Sequence, residues 1–175
     1  QENRIALARA RATYGVPAEI IVAIIGVETE YGRNMGNFRV LEALSTLAFY
    51  YPRRAEFFRT ELEQFLLMAR ENGMNPLDVR GSFAGAIGIP QFMPGSQRRY
   101  AVDFDGDRKV DLYGSVDDAI GSVARFLEQH GWVAGQPIAT RARTSVEPQR
   151  SLIEAGIRPS LKVADLTEQG ILTSA

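Results

Sequence analysis

The sequence predicts a mainly α-helical domain, and three observations support this prediction. Most segments before residue 132 repeat apolar residues at helical spacing, and the glycines lie between those segments. Hydrophobic residues make up 45% of the chain and charged residues 23%, so a core can form. The 175 residues contain no internal repeat, and their number suits one domain, alone or with a tail.

Five segments carry helix start and stop signals. Pro17 suits the first turn of the second segment, and Gly32 suits its end. Pro52 ends the third segment, Gly73 the fourth and Gly131 the fifth. The fourth is the clearest amphipathic helix, because its phenylalanines and leucines recur at helical spacing. The predicted long helices cover residues 3–15, 16–33, 38–51, 53–73 and 116–130, and a short helix is predicted at residues 75–79, where Asn75 suits an N-cap and Pro76 the first helical position.

The chain changes character twice. Residues 80–96 hold four glycines and two prolines among apolar residues, which is too broken for a long helix and too apolar for a plain surface loop. From Thr140 onward the sequence is more polar and weakly patterned. We therefore predict one core at residues 1–135 and a peripheral segment at residues 136–175.

Composition disfavours several classes of function. A formal net charge of −1 argues against a nucleic-acid partner, which selects for a basic surface. With no cysteine, there is no disulfide, thiolate nucleophile or cysteine zinc site. His130 is the only histidine and no nucleophile-elbow motif accompanies it, which argues against a serine triad. No uninterrupted apolar run reaches membrane-spanning length.

An acidic stretch, DFDGDRKVD, has the pattern of a Ca²⁺-binding loop. Asp103, Asp105 and Asp107 alternate around the turn-forming Gly106, which directs several carboxylates to one point. Their mutual repulsion is relieved by a bound cation. The alternative interpretation is a solvated acidic turn. We predict calcium in a structural role, because the sequence lacks the second helix–loop–helix that a calcium sensor uses.

The loop departs from the standard EF-hand at its end. The main-chain carbonyl of Lys109 stands at the seventh position, where EF-hands use a backbone oxygen. The twelfth position holds Gly114 in place of the usual bidentate glutamate. The late carboxylate then has to come from Asp117 or Asp118, at the start of the next helix.

Two glutamates stand near the end of the second helix, and helix geometry separates them. Glu28 shares a face with the isoleucines of that helix, whereas Glu30 lies about 200° further round. We therefore expect Glu28 to be partly desolvated, which is the environment of a general acid. The alternative is a buried Glu28 that is satisfied by a backbone NH or by Arg33, Arg53 or Arg54. For Glu30 we expect a solvated helix end.

A hydrolytic glycosidase needs a second carboxylate opposite the first. In this sequence no other carboxylate is placed by its position to face Glu28. Glu42, Glu56 and Glu61 are predicted to lie on helix surfaces, and the loop aspartates are assigned to metal. If Glu28 is catalytic, it works alone, first as an acid and then as a base.

Six stretches of the chain resemble one family. They read IIGVETEYGR, YYPRRAEFF, LEQFLLMAREN, GSFAGAIGIPQFMPGS, YAVDFDGD and DAIGSVARFLEQHGW, and the likeness runs in order from about residue 3 to residue 132. Together they resemble the catalytic domain of the lytic murein transglycosylase B family. The resemblance implies a mainly α, α+β lysozyme-like fold. Its parts are a helical core similar to goose-type lysozyme, an EF-hand-like calcium loop at residues 103–118 and few short strands.

The resemblance also implies an activity, which is cleavage without water of the β-1,4 bond between N-acetylmuramic acid and N-acetylglucosamine in peptidoglycan. The first glutamate of the GVET signature, here Glu28, protonates the glycosidic oxygen. The muramyl O6 closes on C1 as the same glutamate takes its proton, which leaves a 1,6-anhydromuramyl end. An intramolecular hydroxyl nucleophile explains the missing second carboxylate. The alternatives are a hydrolytic muramidase on the same fold and a non-catalytic peptidoglycan-binding scaffold.

Binding residues follow from matching the family's motifs. Its groove uses the serine and the aromatic residue of GSF, the glutamine of QFMP and the arginine pair after YP. Hydroxyl and amide groups can bind sugars, and phenylalanine rings can pack on sugar faces; the alternative is loop packing, which fits Phe92 better than Gln91. The implied substrate-binding residues are Ser82, Phe83, Gln91, Phe92, Arg53 and Arg54. The implied calcium ligands are Asp103, Asp105, Asp107, the Lys109 carbonyl and Asp118, with Asp117 as the alternative.

The resemblance places the protein in the bacterial periplasm, as a monomer that acts on peptidoglycan glycan strands and binds no nucleic acid and no organic cofactor. The resemblance does not decide whether the protein binds partner proteins of cell-wall synthesis or of the septum. Two features depart from the family. Phe126 stands where the family has an aromatic hydroxyl, and no Tyr-Asn pair follows Trp132. Family members also have more helix before Gln1, so we expect the family's flanks to be absent or incomplete.

Overall fold

A computed structural model describes residues 3–144, 147, 150–154, 156 and 161–173. The chain divides into two compact units, Gln1–Ala134 and Gly135–Ala175.

The first unit is mainly helical, as the sequence predicts. The five long predicted helices are present, with ends within a few residues of the expected ones. The short helix predicted at residues 75–79 is wrong, because that stretch forms only a turn. The structure adds a short helix, α5, which the broken pattern of residues 80–96 did not indicate; Pro94 occupies its first turn. The helices are α1 (Arg4–Tyr14), α2 (Ala18–Thr29), α3 (Val40–Tyr50), α4 (Ala55–Glu71), α5 (Pro94–Tyr100) and α6 (Val116–Gln129), with a 3₁₀ turn at Pro52–Arg54.

Two very short strands connect the helices to residues 80–96. Strand β1 (Phe38–Arg39) pairs antiparallel with β2 (Arg80–Gly81), with Phe38 opposite Gly81. The backbones approach closely here, because a Cβ on Gly36 would lie 2.2 Å from the carbonyl oxygen of Gly81. Gly36 also has a φ of +86°, a conformation that L side chains rarely adopt. This junction therefore requires glycine and fixes the start of the 80–96 segment.

The core of the first unit consists of two clusters of buried side chains. One joins α1, α2 and α6, and the other joins α3 and α4. Residues 80–96 contribute to both, since Ile89 and Phe92 belong to the first cluster and Ile87 to the second. Each fully buried large apolar side chain stabilises the fold by about 1.5–3 kcal/mol. The glycine-rich segment is therefore apolar because it is packed between two parts of the core.

The second unit contains a two-stranded antiparallel sheet and two short helices among its described residues. Strand β3 (Ala142–Thr144) pairs with β4 (Ile171–Thr173), with Arg143 opposite Leu172. The helices are α7 (Arg150–Glu154) and α8 (Val163–Glu168).

Within the described part of the chain, no single helix is long and apolar enough to cross a membrane. Helices α1 and α2 reach the required length and composition only when they are taken together, and they are bent by 114° at their junction.

Candidate active site and calcium loop

Helix α2 carries Glu28 in its last turn and ends abruptly after it. Glu30 and Tyr31 both adopt left-handed backbone conformations, with φ of 51° and 62°. The Tyr31 ring folds back over the helix, since a Cβ on Gly26 would lie 2.9 Å from it. Glu30 is exposed, which confirms the predicted solvated helix end.

Glu28 is exposed as well, so the predicted partial burial of its side chain is wrong. The buried stripe of α2 runs through Ile21, Ile25 and Thr29, one position beyond the stripe that apolarity alone suggested. Glu28 makes no hydrogen bond or ion pair with any residue that the structure describes. The alternative in which an arginine neutralises it is therefore not supported either.

Thr29 takes the buried position and holds the end of α2 in place. Its hydroxyl donates to the carbonyl oxygen of Ile89 at 2.7 Å and accepts from the Gly32 amide at 2.9 Å. Because Ile89 lies in the glycine-rich segment at residues 80–96, this contact joins the end of α2 to that segment. Sequence reasoning missed Thr29, although its i+4 spacing from Ile25 was a usable signal.

Gln91 is held in a strained backbone conformation, with φ of 52°. Its amide nitrogen donates to the carbonyl oxygens of Met35 at 3.2 Å and Gly88 at 2.9 Å. Two carbonyl acceptors require the nitrogen on that side, so the side-chain oxygen points away from them. That oxygen has no hydrogen-bond donor among the described residues and is available to a ligand.

Ser82 and Phe83 form a tight turn at the start of the same segment. The Ser82 hydroxyl accepts from the Ala86 amide at 3.0 Å, and the Ser82 amide donates to the Ala86 carbonyl at 2.9 Å. The hydroxyl can therefore still donate its own proton. The Phe83 side chain is 71% exposed, which is unusual for so large an apolar ring.

The other predicted binding residues have different surroundings. Phe92 is only 7% exposed and packs on Phe126, with ring centroids 5.4 Å apart, which supports the loop-packing interpretation of this residue. Arg53 and Arg54 lie in the exposed 3₁₀ turn. The Arg54 guanidinium lies 4.2 Å from the centroid of the Phe57 ring, so aromatic contact and not an acidic partner positions it.

Phe126, the residue that departs from the family's aromatic hydroxyl, lies in an aromatic cluster. Its ring centroid is 5.3 Å from that of Tyr100 and 4.0 Å from that of His130. The cluster supports the Phe92 side of the 80–96 segment.

Glu61 is buried, so its predicted place on a helix surface is wrong. Its carboxylate accepts a hydrogen bond of 2.8 Å from the backbone amide of Gly95. Gly95 lies in the first turn of α5, where backbone amides lack helical partners and favour a negative charge. Glu61 was assigned to a helix surface because α5 was not predicted. Helix α5 covers the face of α4 that carries Glu61, and the sequence of α4 does not reveal this.

The acidic loop brings three carboxylates together. Oxygen atoms of Asp103, Asp105 and Asp118 all lie within 4.8 Å of one another. The Ser115 hydroxyl, which donates to Asp105, is the main cause that holds the pKa of Asp105 below its usual range. Hard carboxylate oxygens that converge in this way are the ligands that Ca²⁺ takes in proteins, so the donor set fits the predicted ion.

Asp118 and Asp117 are separated by their environments. Asp118 is 1% exposed, and its carboxylate accepts from the amides of Phe104 at 2.6 Å and Asp111 at 2.8 Å. Asp117 instead approaches Arg9, at 3.6 Å between Oδ2 and Nη2. The carboxylate of Asp118 thus lies in the cluster, whereas that of Asp117 belongs to an ion pair outside it.

The remaining loop residues are turned to their own backbone. The Asp107 carboxylate accepts from the Lys109 amide at 2.8 Å and stands outside the three-carboxylate cluster. Asp111, which sequence reasoning did not single out, accepts from the amides of Tyr113 and Gly114, both at 2.9 Å. Its alternate spacing after Asp107 and Lys109 was the signal available.

Comparison with known proteins places the chain. The model of the transglycosylase SLT domain family matches residues 1–175. The chain is 52% identical over 166 residues to membrane-bound lytic murein transglycosylase B of Escherichia coli K12, a match that covers 95% of this chain and 45% of the relative.

Solved structures agree with that match. Soluble lytic transglycosylase SltB1 from Pseudomonas aeruginosa is 52% identical with a TM-score of 0.92, and the likeness covers 99% of this chain and 59% of that one. The Escherichia coli lytic transglycosylase Slt35, solved in complex with calcium, is 47% identical with a TM-score of 0.85, over 99% and 54% of the two chains.

The chain thus spans about half the length of these relatives. The predicted lysozyme-like, mainly α fold is confirmed by the structural likeness. Since the family model covers the whole chain and the identity to relatives is high, the chain belongs to the transglycosylase SLT domain family.

Proposed function

We propose that this chain is the catalytic core of a lytic transglycosylase that cleaves murein. The observation that carries the proposal is a single exposed carboxylate, Glu28, which has no hydrogen-bond or ion-pair partner among the described residues and lies at a helix end that a buried threonine anchors. A catalytic acid has to be reachable by substrate and carried on a well-held backbone; Glu28 is exposed, and the contacts of Thr29 hold the helix end that carries it. Membership of the family supports the same assignment.

In the proposed reaction, protonated Glu28 donates to the glycosidic oxygen as the bond between that oxygen and C1 of N-acetylmuramic acid breaks. The muramyl O6 then bonds to C1 and returns its proton to Glu28. Atoms and protons balance, and the product is a 1,6-anhydromuramyl end. The nucleophile belongs to the substrate, so proximity replaces an activated water and no second carboxylate is required.

Several of the other weighed carboxylates have another role, which supports a single-residue mechanism. Glu61 binds the Gly95 amide, and Glu42 is paired with Arg39 at 2.9 Å. Asp103, Asp105 and Asp118 converge in the acidic loop.

The substrate is proposed to lie against the 80–96 segment. The free oxygen of Gln91 and the hydroxyl proton of Ser82 can bind N-acetyl and hydroxyl groups, and the exposed Phe83 ring offers an apolar face to a sugar. Arg53 and Arg54 are exposed cations that can bind carboxylates of a peptide stem. Phe92 supports this wall from the core.

We propose a structural Ca²⁺ at the acidic loop, with the carboxylates of Asp103, Asp105 and Asp118 as ligands. Asp107 and the Lys109 carbonyl belong to the proposed set as well; in the structure the Asp107 carboxylate accepts from the Lys109 amide. When bound, the ion supplies charge compensation and no step of the chemistry. The solved calcium complex of Slt35 supports the choice of ion.

We propose an envelope protein whose partner is the peptidoglycan glycan strand. The name of one relative, a membrane-bound lytic murein transglycosylase, supports this place of action. We further propose the periplasm as its compartment and a monomer as its state. Within the chain, we propose residues 1–135 as the catalytic core and residues 136–175 as a peripheral part.

The proposal is tested by mass spectrometry of muropeptides that the protein releases from purified sacculi in H₂¹⁸O. We expect anhydromuramyl ends without incorporated label. Reducing ends that carry the label would replace the proposal with a hydrolytic muramidase, and the absence of any release would favour a binding scaffold.

A further inference from the structure

A cavity of about 330 Å³ lies beside Phe83, between strand β1 and the first half of α3. None of the proposed catalytic steps uses it. Its walls come from Phe83 together with Phe38, Arg39 and Glu42, and Thr46 and Leu47 close its far side.

Two exposed aromatic rings meet at this cavity. Phe38 is 58% exposed and Phe83 is 71% exposed, although Phe38 lies in strand β1, which is paired with β2, and Phe83 lies in the hydrogen-bonded turn that follows β2. Leaving two large rings exposed at one cavity forgoes the stabilisation that burial would give. Flat apolar faces held rigidly in a cleft are well suited to bind the C–H face of a sugar ring.

The polar groups at the cavity form a neutral pair. The Arg39 guanidinium donates to the Glu42 carboxylate at 2.9 Å, and the two side chains remain 49% and 66% exposed. Such a pair offers both donors and acceptors and carries no net charge. A sugar hydroxyl both donates and accepts hydrogen bonds, so a neutral, hydroxyl-rich ligand complements the pair better than a carboxylate does.

The cavity is continuous with the proposed active-site wall through one short segment. The Gln91 amide binds the Met35 carbonyl, and Gly36 lies against Gly81. Two residues on, Phe38 pairs with Gly81, the residue before Ser82. The pairing of β1 with β2 therefore brings Phe38 and Phe83, which both line the cavity, next to the segment that carries Ser82 and Gln91.

We propose that this cavity is an additional sugar subsite that takes a neutral N-acetylhexosamine of the same glycan strand. Phe38 and Phe83 hold the ring, and the Arg39–Glu42 pair binds its hydroxyls. The inference rests on the proposed function, because it extends the same strand along the same wall. A peptide stem is disfavoured here, since its carboxylates need an unpaired cation.

The test is a calorimetric titration of the Glu28→Gln chain with chitohexaose, a neutral β-1,4-linked N-acetylglucosamine hexamer, and separately with a free stem pentapeptide. Phe38→Ala is expected to raise the Kd for chitohexaose roughly three- to tenfold, the usual worth of an aromatic contact. Thr46→Leu, which fills the cavity and keeps both rings, is expected to act in the same direction. Phe49→Ala is the matched control, because Phe49 is similarly exposed on α3 but lines a different groove with α4.

An unchanged Kd for both cavity variants, or no binding of the hexamer to the parent, would overturn the subsite. Loss of pentapeptide affinity in Phe38→Ala with the hexamer unaffected would assign the cavity to the peptide stem and overturn it as well. Because binding is measured without turnover, failure of the proposed reaction is seen separately, as missing anhydro ends from sacculi. Melting temperatures of the variants establish that each is folded.

Discussion

The end of α2 and the acidic loop treat their carboxylates in opposite ways. Asp118 is buried and accepts hydrogen bonds from backbone amides, and Asp103 and Asp105 likewise accept hydrogen bonds from loop amides or hydroxyls. Glu28 is exposed and has no partner among the described residues, while its neighbour Thr29 makes the structural contacts. The loop carboxylates thus have hydrogen-bond partners within the fold, whereas Glu28, the proposed catalytic acid, is left open to a substrate.

The largest effect on activity is expected at Glu28, the carboxylate without a partner among the described residues. Glu28→Gln is expected to lower turnover of sacculi by roughly 10²–10⁴-fold, since a glutamine cannot transfer a proton. Its effect on the free energy of unfolding is expected within about 0.5 kcal/mol, because an exposed, unpartnered side chain is replaced. Muropeptide release and thermal melts measure the two effects. Glu30→Gln, two residues away, should change neither; survival of turnover in Glu28→Gln would remove this residue from the mechanism.

Asp118→Asn is expected to give the opposite pattern, a loss of stability. The neutral amide weakens charge-assisted hydrogen bonds that are each worth about 1.5–3 kcal/mol, and it also removes a calcium ligand. Melts with calcium and with EDTA measure both parts. We expect the parent to melt lower in EDTA and the variant to melt low in either condition.

Asp117→Asn is the control for this prediction. It removes only a partly exposed ion pair, which is usually worth about 0–1 kcal/mol, and it should keep the response to calcium. Equal responses to EDTA in both variants, or none in the parent, would count against a calcium site closed by Asp118.

Thr29→Val tests a residue that has a structural role but lies next to Glu28, the proposed catalytic residue. The valine leaves the Ile89 carbonyl without its donor, so we expect a loss of about 1–3 kcal/mol in unfolding free energy. Turnover should fall as well, since the helix end loses its anchor. Denaturant titration and kinetics are the measurements, with exposed Thr13→Val as control. Full activity in a destabilised variant would mean that the anchor does not position Glu28.

The smallest expected effect concerns an exposed ion pair distant from both sites. Arg98 donates two hydrogen bonds to Glu71, which lower the pKa of that carboxyl. A lowered pKa in the folded state means that the stabilisation is present above the ordinary pKa of glutamate and is lost as pH falls through the lowered value.

Arg98→Gln should therefore melt slightly below the parent at neutral pH, and the gap should close in acid. Arg99→Gln is the control. A gap that persists or widens at low pH would show that packing, and not charge, accounts for the difference.

The sequence predicted the five long helices because each buries a stripe at helical spacing, and it predicted the converging aspartates because loop ligands follow fixed local offsets. It failed where a distant segment decides the outcome. Apolarity placed Glu28 on the buried stripe, but Thr29 is buried because Ile89, sixty residues away, offers its hydroxyl an acceptor. Glu61 was wrongly predicted to be exposed because the amide that it binds belongs to α5, and no helical periodicity in the sequence indicated that helix. Likewise the cavity at Phe38 depends on strand pairing across the chain.

The double membership of the 80–96 segment has a consequence for how the protein unfolds. Ile87 packs in one cluster, and Ile89 and Phe92 pack in the other. Neither cluster can melt without exposing apolar side chains that the same few residues hold in its neighbour, so the two are expected to unfold in one cooperative transition. Gln91 lies in the same short stretch, between Ile89 and Phe92. Partial opening of either half would therefore release the wall on which a glycan is proposed to rest, and catalytic competence is coupled to the integrity of the whole unit.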